Sequence, residues 1–217
     1  MPLPLQVLLL SRLGHWLSHV YLLHTSEAAD GGNGDDRILG VNMTREIFID
    51  ESNGCLIGAT EAEPLEIRAL KEKISVEAEL LEGVAKARAA GVLVRFFIGG
   101  PCVSKEIVCI HAEEGVDGSC AATAGEDVRF GGGYAAVLGA ATARAQQHPG
   151  AEKPVVCLCY GHARWAKNQL QNEVLRGDWG LNLEKASAAH LLRPDVRLDH
   201  AALLPESAGT HYIAEAS

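Results

Sequence analysis

Apolar and polar residues follow two periods along this chain, and the switches between them mark its elements. The longest organised stretch is Pro154–Leu181, PVVCLCYGHARWAKNQLQNEVLRGDWGL. Val155, Val156, Leu158 and Tyr160 form a short apolar run with β-branched and aromatic members, entered at Pro154, and read as a buried strand. Gly161 predicts a tight turn, followed by an amphipathic helix that ends near Gly177. Ala166, Leu170 and Val174 recur every four residues and so share one helical face. Trp165, Gln169 and Asn172 fall on a neighbouring face.

Upstream, the same reading predicts strands at Val7–Leu10, Val20–Leu23 and Arg37–Asn42, a small antiparallel meander. Its second turn, Thr25–Arg37, is long and rich in Gly, Asp and Asn. Two apolar bursts between Ile47 and Ile57 are split by the turn former Asp50-Glu51-Ser52-Asn53-Gly54. Pro64–Ala90 is helical, with Leu70, Ile74, Leu81, Val84 and Ala85 as its apolar stripe. Ser75 can cap a second segment, so one bent helix and two helices both fit. Val92–Ile98 predicts a strand closed by Gly99-Gly100-Pro101, and Glu106–Ala112 another. Glu113–Asp127 reads as a loop. Val128–Phe130 then leads through Gly131-Gly132-Gly133 into a small-residue helix, Tyr134–Gln147. After Trp179 short apolar bursts divided by Pro194 and Pro205 suggest a tail that crosses the body.

Several strand pairs are joined too closely for parallel crossovers. The expected class is therefore α+β, with a mixed, largely antiparallel sheet flanked by helices, in one compact domain over residues 1–217. The apolar N-terminal stretch is broken by Arg12, His15, Ser18 and His19, which argues against a transmembrane segment there.

Composition narrows the function classes. An apolar fraction of 47% and a charged fraction of 22% are ordinary for a globular domain. The net charge of −9, with no basic stripe, argues against nucleic acid as a partner. Six cysteines are too sparse for a disulfide framework, and no CxxC pair or Cys/His quartet suggests zinc. Cys157 and Cys159 share one strand face as small buried hydrophobes, and reduced cysteines imply an intracellular compartment.

Candidate chemistry is thin. Gly131-Gly132-Gly133 sits between strand and helix, but lacks the GxGxxG spacing and the Walker Lys-Ser/Thr pair. A tight turn explains it better than phosphate binding. His15 and His19 are four apart without an HExxH glutamate, and His111 lies within a strand as a core or edge histidine. No nucleophile elbow is present, so no catalytic residue, metal ligand or cofactor is assigned. His162 and Arg164, at a strand end, are the pair most suited to an anion, with Gln169 and the Gly99-Gly100 turn beside them. Trp165 and Trp179 flank the helix as packing or interaction anchors.

The segment Gly161-His162-Ala163-Arg164-Trp165-Ala166-Lys167-Asn168-Gln169-Leu170-Gln171-Asn172-Glu173, with Trp179 beyond it, resembles the YqgE/AlgH signature. That signature is a strand, then G-x-x-x-W-x-x-G-Q-L-x-x-E and a later Trp. Gly40-Val41-Asn42, Gly99-Gly100-Pro101 followed by Ile110-His111, and Phe130-Gly131-Gly132 resemble further family elements in the same order. The likeness spans about residues 5–182, leaving 183–217 as a C-terminal extension wrapping the body. Asn168 stands where the family usually has glycine, Arg164 where a small residue often precedes the Trp, and Gly133 where an acid is frequent. The resemblance implies a compact α+β domain with a partly barrel-like sheet and no established activity. Members occur in bacteria and plastid-bearing eukaryotes, which implies a cytoplasmic or organellar setting, a plastid among them. Some are labelled transcriptional regulators, but no basic or helix-turn-helix element appears here.

Two readings follow. The first is a non-enzymatic protein-binding or regulatory protein, or an accessory subunit of a larger assembly. The second is a small anionic ligand-binding protein or hydrolase built on His162, Arg164, Gln169 and the Gly99-Gly100 turn.

Overall fold

The computed structural model describes residues 8–11, 19–25, 38–43, 46–49, 56–59, 77–100, 102–121, 128–166, 168–182, 192 and 210–211. The strands are β1 (Leu8–Ser11), β2 (His19–Thr25), β3 (Ile38–Asn42), β4 (Glu46–Ile49), β5 (Leu56–Ala59) and β6 (Leu93–Ile98). They continue with β7 (Cys102–His111), β8 (Ser119–Ala121), β9 (Arg129–Gly131), β10 (Val155–Trp165), β11 (Trp179–Asn182) and β12 (Thr210–His211). The helices are α1 (Ala78–Ala89), α2 (Tyr134–Gln147) and α3 (Gln169–Leu175). The fold is α+β. No helix among the described residues is long and apolar enough to cross a membrane.

The strands join in one mixed sheet, and β10 is its hinge line. The N-terminal half of β10 pairs in parallel with β6, Val155 opposite Leu93 and Tyr160 opposite Ile98. Its other edge pairs antiparallel with β7, and its last residues pair antiparallel with β3, Trp165 opposite Ile38. The expected meander β1–β2–β3 is present and antiparallel. β4 pairs with both β5 and β6, and β9 pairs with β7 and β8. The path runs from β12, beside β11 and β1, to β5 without closing. All described pairs are antiparallel except β6–β10.

The apolar run of β10 lacks strict alternation because both its faces are buried. Val156, Leu158 and Tyr160 face a core shared with Leu80, Val84 and Ala87 of α1 and Val137, Leu138 and Ala141 of α2. Val155, Cys157 and Cys159 face a second core with Val41, Met43 and Phe97, and with Val128 and Phe130 near β9. Each fully buried Val, Leu or Phe in these cores contributes about 1.5–3 kcal/mol. Leu192, in the tail, packs on the second core. Outside both cores, Arg95 and Glu46 form a two-bonded ion pair at 2.9 Å that ties β6 to β4.

Several expectations are corrected. The strand at Val155 does not stop at Gly161; it runs on to Trp165, because Gly161 takes φ +73° and absorbs a bulge instead of turning the chain. Ala166 is therefore exposed outside the helix, and Trp165 sits on a strand, not a helix face. Leu170 and Val174 are buried on α3 as expected. The strand predicted at Glu106–Ala112 begins earlier, at Cys102, where the backbone finds a partner opposite His162. The loop predicted at Glu113–Asp127 contains β8, three residues whose pairing partner β9 is remote in sequence. The α1 stripe is Leu80, Val84 and Ala87, with Ala85 exposed, one residue round from the expected face. The Thr25–Arg37 turn, His15, Pro64–Ser75 and most of the tail lie outside the described residues.

Candidate functional site

Three of the sequence motifs meet at one backbone junction. Gly99 donates its N–H to the Tyr160 carbonyl at 2.7 Å, and its own carbonyl accepts from the Asn42 N–H at 2.7 Å. A Cβ on Gly99 would lie 2.2 Å from the Gly161 oxygen, and one on Gly100 2.4 Å from the His162 carbonyl carbon. Real Cβ atoms do not approach backbone so closely, so both glycines are needed for β6 to end against β10. Gly40 stands opposite Ala163 on the neighbouring strand, completing the cluster.

The predicted ligand residues divide here. Gly99, Gly100 and His162 share the junction, and all three are buried. His162 lies inside β10 rather than just past a strand end, which corrects its expected location. Arg164, two residues on and thus on the same strand side, is exposed. Gln169 is exposed at the start of α3.

The organising carboxylate was not among the expected site residues. Glu173 Oε2 accepts the Trp165 indole N–H at 2.9 Å and the Trp179 indole N–H at 2.8 Å. Its Oε1 accepts the Gln169 side-chain amide at 2.9 Å, while Gln169 Oε1 accepts the Ala166 backbone N–H at 3.1 Å. The two indoles meet edge to face, with centroids 6.1 Å apart and planes at 81°, the arrangement their quadrupoles favour. One carboxylate thus pins the end of β10, the start of β11 and α3 together. The helix can begin at Gln169 because Asn168 adopts a left-handed conformation, φ +66°, which asparagine tolerates better than most residues. The tight backbone of a glycine is thereby kept without one. A signal for Glu173 existed: Gln169 and Glu173 are four apart, one helical turn, between two tryptophans.

A second polar cluster lies at the far end of β7. His111 is fully buried, and its Nδ1 accepts the Glu113 backbone N–H at 3.1 Å. Burial pushes its imidazole below the ordinary range; the Arg129 charge adds to this, and backbone groups of Gly131 and Glu113 oppose it. Glu113 is buried too and pairs with Arg144 of α2 at 2.9 Å. Burial raises its carboxyl, with the Arg144 guanidinium partly offsetting the rise. The loop reading of Glu113 missed this because Arg144 is 31 residues away in sequence (144 − 113).

The Glu173 cluster satisfies its own polar groups, whereas in the second cluster the buried His111 Nε2 and Arg144 Nε have no hydrogen-bond partner among the described residues. The Cys109 and Cys157 thiols are pushed up to about 12 by burial, far from the thiolate a nucleophile requires. Cys109, Cys120, Cys157 and Cys159 carry free thiols. Among the described residues no three His, Cys, Asp or Glu side chains are grouped to hold a metal ion. The indole N–H groups of Trp165 and Trp179 are both committed to Glu173.

Comparison with known proteins adds a family and two solved structures. The family model described as AlgH-like matches residues 58–203. The crystal structure of a Corynebacterium diphtheriae protein is similar at 18% identity, covering 82% of this chain and 74% of that one, with a TM-score of 0.43. The solution structure of the AlgH protein from Pseudomonas aeruginosa is similar at 16% identity, covering 96% and 97% of the two chains, with a TM-score of 0.40. No curated protein matches the chain.

Proposed function

The chain belongs to the AlgH-like family, and from that premise we propose that it is a non-enzymatic protein-binding subunit or regulator, working within a larger assembly. The observation that carries this reading is the Glu173 cluster. Both indole N–H groups and the Gln169 amide converge on one carboxylate of the same chain, so the segment's polar groups organise its own surface. A reactive site aims such groups at a space where a substrate sits. Here they tie the segment together, and the same segment exposes Arg164 on β10 and the half-exposed Leu175 on α3, a mix suited to a partner surface. Free, buried cysteines fit a reducing, intracellular compartment.

The test is affinity capture of the full chain from native extract of its source, with partners quantified by mass spectrometry. The reading expects at least one protein at fixed stoichiometry that withstands washing in moderate salt. Recovery of the bare chain would overturn it. A thermal-shift screen against nucleotides and phosphorylated metabolites gives the complementary result: no stabilisation is expected, and a saturable shift abolished by Arg164→Ala would favour an anion site instead.

A further inference from the structure

Helices α1 and α2 lie side by side on the sheet. Tyr134 meets Glu77 and Leu138 meets Gly83, so the two run in the same direction. Between them is a groove of about 380 Å³. It is lined by Gly83, Leu138 and Gly139, and along its α1 rim by Glu79, Glu82 and Lys86, which recur at helical spacing. The rim spans about 10.5 Å, two turns of helix.

Gly139 is the informative residue. It sits inside α2, where glycine lowers helix stability relative to alanine. Among the described residues nothing lies within 4 Å of where its Cβ would be, so none of them calls for a glycine there. Gly83 differs, since its Cβ would press on Leu138 at 3.3 Å. What Gly139 leaves is room for a close approach from outside, together with exposed Ala135 beside it. The electrostatics select the visitor. Glu77 accepts from the hydroxyl of the lining residue Tyr134 at 3.4 Å, and among the described residues it joins Glu79 and Glu82 to set three carboxylates against the ammonium of Lys86. Lys86 itself pairs with Glu82 at 2.7 Å. The Tyr134 hydroxyl is raised by burial first and then by Glu79 and Glu77, the mark of a negative local field.

We propose that this groove docks a basic amphipathic helix of a partner protein, its Lys or Arg heads on the Glu79–Glu82 rim and its small apolar face on Leu138 and Gly139. The proposal rests on the protein-binding reading above and names the class of partner. A third helix laid along two parallel ones buries its apolar face where small residues allow the axes to close. The negative rim sets its register and speeds its approach.

The experiment uses the full chain and a fluorescein-labelled helical peptide of Lys, Leu and Ala, followed by fluorescence polarisation at about 0.15 M salt. Saturable binding is expected, weakened about tenfold or more by the double variant Glu79→Lys/Glu82→Lys. Glu114→Lys/Glu152→Lys makes the same change in net charge at exposed positions outside the groove, and should alter affinity less than about twofold. Gly139→Leu fills the groove without changing charge and improves helix propensity, so the variant folds; it too should lose about tenfold. No saturable binding, equal losses in the two charge variants, or undiminished binding to Gly139→Leu would each overturn the proposal. Affinity capture separates the two ideas: a native partner held equally well by Gly139→Leu removes the groove and leaves the protein-binding function standing. Groove-dependent peptide binding with no native partner removes the function instead.

Discussion

Replacing Glu173 by alanine should loosen the packing of α3 against the ends of β10 and β11. The variant loses two indole bonds of 2.9 and 2.8 Å, both part-buried, and one exposed amide bond of 2.9 Å. A bond to an ionised acceptor contributes about 1.5–3 kcal/mol when buried, and partial exposure reduces each indole bond to about 1 kcal/mol. The exposed Gln169 contact, one helical turn away, adds about 0.3 kcal/mol. Leaving the two indole N–H groups without their acceptor brings the total to about 2–3 kcal/mol. Glu173→Gln keeps the shape and one acceptor oxygen, and should cost about 1 kcal/mol. Asn172→Ala, one residue earlier and exposed, serves as the control and should stay within about 0.5 kcal/mol of wild type. Equilibrium urea unfolding followed by tryptophan fluorescence reads all three, and the alanine variant's Tm should fall by about 4–12 °C. A Glu173→Ala protein within about 0.5 kcal/mol of wild type would refute the clamp.

Other consequences of the structure are equally measurable. Gly99→Ala drives a Cβ to 2.2 Å from the Gly161 oxygen and should cost about 3 kcal/mol or leave the chain unfolded, read by circular dichroism and urea midpoint. Asn168→Gly relieves a left-handed residue at φ +66° and should be neutral or stabilising by up to about 1 kcal/mol, whereas Asn168→Ala should cost about 1 kcal/mol in the same assay. His111 predicts a pH dependence whose sign follows from its lowered folded pKa. Above the unfolded value, near 6.5, the imidazole is neutral in both states and contributes nothing. As pH falls below that value the unfolded chain binds the proton more readily, so stability is lost through the window down to the folded pKa. His111→Gln should flatten the wild-type loss as pH falls below about 6.5, and an unchanged slope would contradict the assignment.

Much of this architecture was legible in the chain because the signals were local. The β10 run announces itself through Val155, Val156 and Leu158, and Tyr134–Gln147 through its small-residue helix closed by His148-Pro149-Gly150. What was not legible depended on contacts between distant residues. Gly161 reads as a turn in isolation; pairing with β7 up to His162 and with β3 from Ala163 carries the strand on through a bulge there. Ser119–Ala121 is too short to show a period and becomes a strand because β9 pairs with it. The motif positions Asn42, Gly99 and Gly161 are widely separated in sequence, and their meeting required the sheet order. Glu173 was visible as a letter of the family pattern, but its role depended on the edge-to-face approach of Trp165 and Trp179, which β11 creates.

The most direct test of the protein-binding account is the mass of the untagged chain in fresh native extract, by size-exclusion separation and quantitative detection. The account predicts that most of it migrates in a particle well above its own 23.1 kDa, co-eluting with a partner at constant ratio across the peak. A chain found wholly at 23.1 kDa, with no protein tracking its profile, would contradict it.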